Sequence, residues 1–426
     1  MIDMKLIREN PEVVRQSLKK RLGDVRVVDS LLELDKAWRE IKKEADDLRA
    51  RRNEISEKIN QAKKRGQNID SLIREAKDIP IKIQEKEAKL TTLDERRLEI
   101  WKKIPNIIDK SVPSGDVTKN KVLKKYGSAK KSKSKEGHAE IMESLGLIDT
   151  KKAAEVSGSR FYYLRKDLVR LNYAIISFAL DFLSKKGFEL IQPPYMLNRK
   201  ALEGAITLDV FEDAIYKIES EDLYLIGTAE HAINAFESNE VLDSKSLPLR
   251  FAGISSCFRK EAGAHGADTK GIFRAHQFEK IEQFVFSKPE NSWREFDLIL
   301  KNSVELYKLL KIPFRVVILA SGDTGSTATK TVDLEGWFPS QGKYRELGSC
   351  SNCLDYQARR SNTRFQDSDE IKFVHTLNNT AIATERMMTC IVENNIQKDS
   401  SIKIPSVLQK YMGGKKKIGA VKKKGN

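Results

Sequence analysis

FAGISSCFRKEAGAHGADTKGIFRAHQFEKIEQFVF, residues 251–286, is the stretch from which the fold of this chain is read. Its alternation predicts an outgoing strand ending near Phe258 and Arg259, a Gly-rich loop over 261–268, and a return strand. That strand carries Arg274, His276, Phe278, Lys280 and Glu282 on one face, because strand side chains repeat every second residue. Guanidinium groups on both strands can grip phosphate oxygens bidentately, and an aromatic ring between them can stack on a base. Glu282 is left to meet an ammonium group. The pattern suits a nucleoside triphosphate beside a small amino acid. A single arginine on a sheet face is ordinarily a solvated charge; the run of specific residues carries the reading.

Upstream the sequence changes character. Leu31, Leu34, Trp38, Ile41, Ala45, Leu48, Arg52, Ile55, Ile59 and Ala62 alternate spacings of three and four, as do Ile69, Leu72, Ala76, Ile79, Ile83, Lys86, Leu90, Leu93, Arg97, Ile100 and Ile104. Both series are coiled-coil seams. A turn at 64–68 folds them into an antiparallel hairpin that pairs Ala62 with Ile69, Leu48 with Ile83, and Trp38 with Leu93. Arg52, Lys86 and Arg97 fall on the seam, where their stems are expected to pack while their heads escape to water. Pro80 predicts a bend or break in the second helix, since it removes an N–H and crowds the preceding turn. The exposed faces are basic, including Arg49, Arg52, Lys63, Lys64 and Arg65. Such a hairpin alone reads sooner as a dimerisation coiled coil than as an RNA-contacting arm.

Downstream, residues 158–202 read as a strand, a long amphipathic helix, a strand ending at Pro193 and Pro194, and a helix opening at Asn198. In LYLIGTAEHAINAF, 223–236, Thr228 is placed to cap a helix, which leaves Glu230 unexplained by capping. The strand-rich segment 331–365 contains Glu346 and Ser349. It also contains Cys350 and Cys353, which lack two further ligands at zinc-finger spacing. VHTLNNTAIATERMMTCIVENN, 374–395, reads as a strand running into a helix with Arg386 near its start.

Taken in order, these segments resemble motifs 1, 2 and 3 of the class II aminoacyl-tRNA synthetases, and FRKEAG followed by GIFRAHQFEKIEQF resembles the seryl version. The resemblance runs over essentially the whole chain. It implies an α+β fold, an antiparallel sheet flanked by helices with an N-terminal antiparallel α-helical coiled-coil arm. No convincing GxGxxG unit between strand and helix points instead to a Rossmann fold. The implied organisation is a tRNA-binding domain over 1–110 with its hairpin at about 30–104, a basic linker over 111–135, a catalytic domain over 136–414 and a basic tail over 415–426. The implied activity is seryl-tRNA synthetase: serine is activated with ATP to seryl-adenylate and transferred to tRNA(Ser), with tRNA(Sec) as a further substrate where that system exists.

The resemblance also implies residue roles. Arg259 on the α-phosphate and Arg386 on the outer phosphates are the catalytic pair. The ATP site adds Lys260, Glu261 near the adenine, Arg274, Ala275, Phe278 stacking on the base, and the segment Glu346, Leu347, Gly348 and Ser349. Serine is held by Thr228, Ala229, Glu230, Arg259, Glu282, Asn378 and Thr380. Glu346 and Ser349 coordinate Mg2+, whose preference for hard oxygen ligands they suit, and no zinc is expected. Arg49, Arg52, Lys63, Lys64 and Arg65 meet tRNA through its backbone and shape. Motif 1 implies a homodimer. The chain departs from the family pattern at Gly348, where serine is usual, and at Asn378-Asn379-Thr380, which is closer to archaeal and eukaryotic wording. Two other classes stay open: a synthetase-like ligase that loads a carrier protein, and a noncatalytic RNA-binding paralogue.

Composition sets the outer bounds. At 426 residues and 48.5 kDa two domains are the default. With 40% hydrophobic and 32% charged residues, no membrane span and no apolar leader, the expected setting is the cytoplasm, without a membrane partner. Four cysteines fit a reducing compartment. A formal charge of +16 points to a polyanionic partner. Lysine runs at 119–135 and at the C-terminal end carry much of the excess and read as flexible.

Overall fold

The computed structural model describes residues 1–130, 136–208, 212–261 and 270–419. Parts of three expected segments lie outside the described residues: the Gly-rich loop at 262–268, the linker at 131–135 and the tail at 420–426. The chain divides into two compact units. One comprises 2–19 and 23–105; the other comprises 106–426 together with residues 1 and 20–22. Among the described residues no helix is long and apolar enough to cross a membrane.

The smaller unit begins with two short helices, α1 (Met4–Glu9) and α2 (Pro11–Lys20), and continues as the long pair α3 (Arg26–Lys64) and α4 (Asp70–Lys103). Ile55, Ile79 and Ile83 form the buried centre of the seam, with Leu48, Ile59 and Ala76 packed around them. The turn closes because Gly66 takes a left-handed φ of 65° and the Gln67 N–H reaches back to the Ala62 carbonyl at 3.0 Å. That conformation after a helix end favours glycine.

Two expectations for this unit are corrected. Arg97 does not send its head to water: its side chain is 13% exposed and donates to Asp35, which is fully buried, at 3.0 Å. Arg8 and Arg39 reach the same carboxylate at 2.7 and 3.0 Å, and the Arg97 guanidinium lies 4.2 Å from the Trp38 ring centre. The buried acid supplies the partner that solvent was expected to be. Of the bend or break expected at Pro80, the break does not occur: α4 is helical on both sides of it. Pro80 sits on the exposed face, where water can serve the carbonyl left without a donor.

The larger unit is built on an eight-stranded sheet. Its strands are β1 (Lys121–Tyr126), β2 (Glu189–Ile191), β3 (Leu249–Phe258), β4 (Gln277–Ser287), β5 (Phe314–Ile318), β6 (Lys330–Phe338), β7 (Lys343–Leu354) and β8 (His375–Ala383). Their order is β1-β5-β6-β7-β8-β4-β3-β2, antiparallel except for the β2–β3 pair. Helices α5 (Asp167–Lys185), α6 (Ser292–Leu309) and α7 (Thr384–Asn395) cover one face and bury the main core, with Leu171, Ile175, Ile299, Leu306, Met388 and Ile391 against strand residues such as Phe314, Leu334 and Leu377. A short helix over Ala229–Phe236 packs on the other face through Ala229 and Ile233.

The segment read as a flexible basic linker is in part an edge strand. β1 pairs with β5 from Lys121↔Ile318 to Tyr126↔Phe314. Edge pairing is made by backbone groups and tolerates outward lysines, which also discourage further strand addition; here only Tyr126 packs, stacked on Phe314 at 4.7 Å.

Candidate active site

Sheet register assembles the site. Directly opposed residues of antiparallel strands share a face, and the pairs Glu282↔Thr380, Asn378↔Ser351, Ser351↔Thr331 and Ser349↔Asp333 put polar side chains from four adjacent strands on one side. The residues between them turn to the opposite side, where Gln283 and Asn379 join a buried network with Asn302 and Ser303. Glu346 and Ser349 are an odd number apart and would alternate away from each other, but a bulge opposite Leu334 and Glu335 absorbs Leu347. Close to it, a Cβ on Gly348 would stand 3.0 Å from both the Thr380 carbonyl and the Tyr307 hydroxyl, so this strand position leaves no easy room for a side chain.

Two cavities open on this surface. The first is lined by Arg259, Glu261, Phe273, Arg274, Ala275, Phe278, Glu346, Leu347, Gly348, Glu385 and Arg386. The second, of about 410 Å3, is lined by Thr228, Glu230, Glu282, Ser349, Asn378, Asp333 and loop residues from Leu319 to Ala328. Arg259, Lys280, Glu346 and Thr380 line both, so the two form one continuous cleft.

The cleft's charges are paired at short range. Arg386 donates to Glu346 at 2.8 Å, Arg274 to Glu261 at 2.9 Å, and Arg259 to the Gly227 carbonyl at 3.1 Å with its guanidinium 5.2 Å from the Phe278 ring centre. Lys280 is buried, donates to Thr228 Oγ1 at 2.7 Å and is ion-paired with Glu282. Glu230 accepts from Gln357 at 2.6 Å and from Asn378 at 3.1 Å. Burial, with the charge of Glu282 adding to it, raises Glu230 to about 7. The Arg386 charge holds Glu346 below the usual carboxylate range, whereas burial and the neighbouring Glu346 push Asp333 well up. Asp333 accepts the Ser349 hydroxyl at 2.5 Å.

Most of the residues singled out in the sequence meet here; a few do not. Lys260 is exposed and donates to the Glu212 carbonyl at 3.3 Å, outside both cavities, because the chain leaves the strand at Phe258. Ala229 is buried in the first turn of its helix and lines neither cavity. Thr228 does cap that helix, accepting from the Glu230 N–H at 3.2 Å. The return strand begins only at Gln277, so Arg274 and His276 precede it. His276 still gives its carbonyl to the Arg259 N–H at 2.9 Å, but its own N–H turns to Arg160 and its ring packs 5.1 Å from Phe161, which ends the ladder. Cys350 and Cys353 are buried, with thiols raised by desolvation, and Cys353 accepts from Asn378. Among the described residues no cluster of three His, Cys, Asp or Glu side chains could hold a metal.

Sequence reasoning gave no site role to Lys280, Thr331, Asp333 or Ser351. The period-two spacing of Thr331 with Asp333, and of Ser349 with Ser351, was the available signal. No such signal marks Asp323, Gly325 or Thr327, which reach the cleft from a loop.

On the hairpin, Arg49 is tied to Asp46 and Glu87 at 2.7 and 2.8 Å. Arg52, Lys63, Lys64 and Arg65 are exposed.

Comparison with known proteins follows both units. Residues 1–108 match the model of the seryl-tRNA synthetase N-terminal domain, and residues 215–395 match that of the tRNA synthetase class II core domain (G, H, P, S and T). The chain is 48% identical to the serine–tRNA ligase of Nitrosopumilus maritimus, over 98% of this chain and all of the relative. It is 50% identical to that of Cenarchaeum symbiosum, over 97% and 99% of the two chains. The crystal structure of seryl-tRNA synthetase from Pyrococcus horikoshii complexed with ATP superposes with a TM-score of 0.92 at 46% identity, covering 98% of this chain and 99% of that one.

Proposed function

This chain belongs to the seryl-tRNA synthetase family, and from that premise we propose how its residues divide the work. The reaction is serine–tRNA ligation with conversion of ATP to AMP and diphosphate. The serine carboxylate attacks the α-phosphorus and diphosphate leaves; a terminal tRNA hydroxyl then attacks the seryl carbonyl and AMP leaves. Neither step needs a protein nucleophile, so rate comes from positioning and charge compensation.

The observation that carries the assignment of roles is the shared wall of the two cavities, Arg259, Lys280, Glu346 and Thr380. A mixed anhydride of amino acid and nucleotide needs one group at each end and cations at the junction. Serine occupies the larger cavity, its ammonium facing Glu230, Glu282 and Thr228 and its hydroxyl within reach of Thr380 and Asn378. Arg259 and Lys280 face the carboxylate and the α-phosphate. The base lies by Phe278 and Glu261, with Arg274 and Arg386 on the phosphates. Glu346 and Ser349 offer hard oxygens to a divalent cation, Mg2+ by its preference for a few protein oxygens plus phosphate. Such an ion screens phosphate charge when bound. The Glu346–Arg386 pair is what a nucleotide and its cation would part, one partner turning to each.

The exposed basic tip Lys63, Lys64 and Arg65, with Arg52, is the tRNA contact. A homodimer is supported by the exposed apolar side chains Tyr163, Tyr173 and Leu190 in the motif 1 region, and a cytoplasmic setting by four free buried cysteines.

Diphosphate exchange with ATP, comparing serine, threonine, alanine and cysteine, tests the cleft. Exchange with serine and not alanine is expected, because a site that hydrogen-bonds a hydroxyl rejects the analogue lacking it. Equal exchange with alanine would overturn the assignment of the larger cavity. Charging of tRNA(Ser) with and without its variable arm tests the hairpin, and a tRNA(Sec) transcript in the same assay tests the further substrate.

A further inference from the structure

The loop between β5 and β6 forms one wall of the larger cavity, presenting Leu319, Asp323, Gly325, Thr327 and Ala328 to it, yet it has no strand or helix of its own to hold it. Its backbone is fastened from outside. Arg21, a half-buried residue in the short 20–22 segment that clusters with the catalytic unit, donates from Nη1 to the Thr324 carbonyl at 2.8 Å and the Gly325 carbonyl at 3.3 Å. From Nη2 it donates to the Ala328 carbonyl at 2.5 Å, and from Nε to the Asn106 carbonyl at 3.0 Å. A planar fork with five donors can serve several carbonyls at once, which a lysine head cannot do with the same geometry. Burial lowers Arg21 to about 10, which leaves it protonated at neutral pH. Asn106, itself held by Arg21, donates from its side chain to the Thr327 carbonyl at 2.9 Å and from its backbone to the Ser326 carbonyl at 2.7 Å.

We infer that Arg21 is a positioning residue for amino-acid binding: through three loop carbonyls it sets the wall of the serine cavity from outside the cleft, so its loss weakens serine and spares ATP. Arg21 lines neither cavity, and two of the residues whose carbonyls it holds, Gly325 and Ala328, line the larger one alone. Removing the guanidinium takes their donor from the partly buried Thr324 and Ala328 carbonyls, while the Gly325 carbonyl keeps the Ala328 N–H at 3.1 Å, and the loop relieves the two by moving toward water. The inference rests on the larger cavity being the serine site.

Arg21→Met keeps the stem and removes the fork. In diphosphate exchange without tRNA, the expected result is a serine KM raised roughly tenfold with the ATP KM within about twofold of the parent. Arg21→Lys should fall between the two. A serine KM unchanged by Arg21→Met, or both KM values raised together, would overturn the inference. If Arg21→Met does not fold, Asn106→Ala carries the same test, since it removes a second donor to the same wall; a serine-selective rise supports the inference and a symmetrical change overturns it. Failure of the parent protein to exchange with serine would instead remove the assignment of the cavity, and the inference with it.

Discussion

The hairpin and the cleft both use charge, in opposite ways. On α3 and α4 most charged side chains stand in water and pair loosely with near neighbours, as Arg49 does with Asp46 and Glu87. In the cleft Lys280 and Glu282 are buried and Glu230 is half-buried, and each is held by named partners. Exposed pairs contribute about 0–1 kcal/mol and are screened by salt; a buried charge that loses its partner is far more costly. The hairpin can thus be edited one residue at a time, and the cleft cannot. The Asp35 cluster is the exception, a cleft-like arrangement inside the hairpin.

The largest break should come in the cleft. Arg386→Ala is expected to lower kcat/KM for exchange by roughly 10²–10³, the scale of losing one preorganised charge donor, with circular dichroism unchanged. Arg386→Lys should recover little, since a point charge does not replace the fork. If Arg386→Ala exchanges normally, the phosphate role assigned to it is wrong.

Next is the exception. Asp35→Ala takes the shared anion from Arg8 and Arg39 and leaves Arg97 with only the more exposed Asp94 at 2.6 Å, and should destabilise the helical unit by about 3 kcal/mol, the lower end for breaking a buried pair, read by urea denaturation followed by far-UV circular dichroism. Burial pushes Asp35 up, but hydrogen bonds from Arg8 and Arg97 outweigh it and hold it below its ordinary value. Its contribution is therefore present above the unfolded carboxylate pKa and lost as pH falls through the lower folded one. The acid transition of the Asp35→Ala protein should be correspondingly shallower.

The hairpin tip sharpens the contrast. Changing Lys63, Lys64 and Arg65 together to alanine should raise the KM for tRNA and reduce the dependence of log affinity on log salt by about one for each phosphate no longer neutralised, while exchange without tRNA stays as in the parent. A change in exchange would show that the two regions are not separable.

The smallest effect is a pH dependence. Glu230, at about 7 in the free protein, holds a proton near neutrality that the unfolded chain would not, so its contribution to stability is lost as pH rises through 7. A substrate ammonium bound there, as proposed, would favour the ionised form and expel that proton. Serine KM should therefore fall a few-fold between pH 6 and 8, and calorimetry in buffers of different ionisation enthalpy should detect protons released on binding. In Glu230→Gln both signals should vanish.

Much of this was legible in the chain. Seam spacing located the helical pair, and alternation in 277–287 put Phe278, Lys280 and Glu282 together, because both depend only on local period. The bulge at Leu347 was not readable, since it is decided by pairing with β6, and neither was the buried Asp35, whose three arginine partners come from three helices. That Lys260, next to Arg259, turns to the Glu212 carbonyl was not readable either, since past a strand end local period no longer sets where a side chain goes. Arg21 left no trace at all, because its partners are backbone carbonyls some 300 residues away, and backbone carbonyls have no sequence signature.

The edge strand β1 has a consequence for biosynthesis. Phe314, the partner of Tyr126, follows it by 188 residues, so at ordinary translation speeds β1 waits roughly 10–40 s after emerging from the ribosome before β5 exists to receive it. The hairpin ahead of it closes on local contacts and need not wait. During that interval Val122 and Leu123 are carried on a strand that Lys121, Lys124 and Lys125 keep charged. The lysines that made the segment read as a linker are, on the nascent chain, its protection against pairing with the wrong edge.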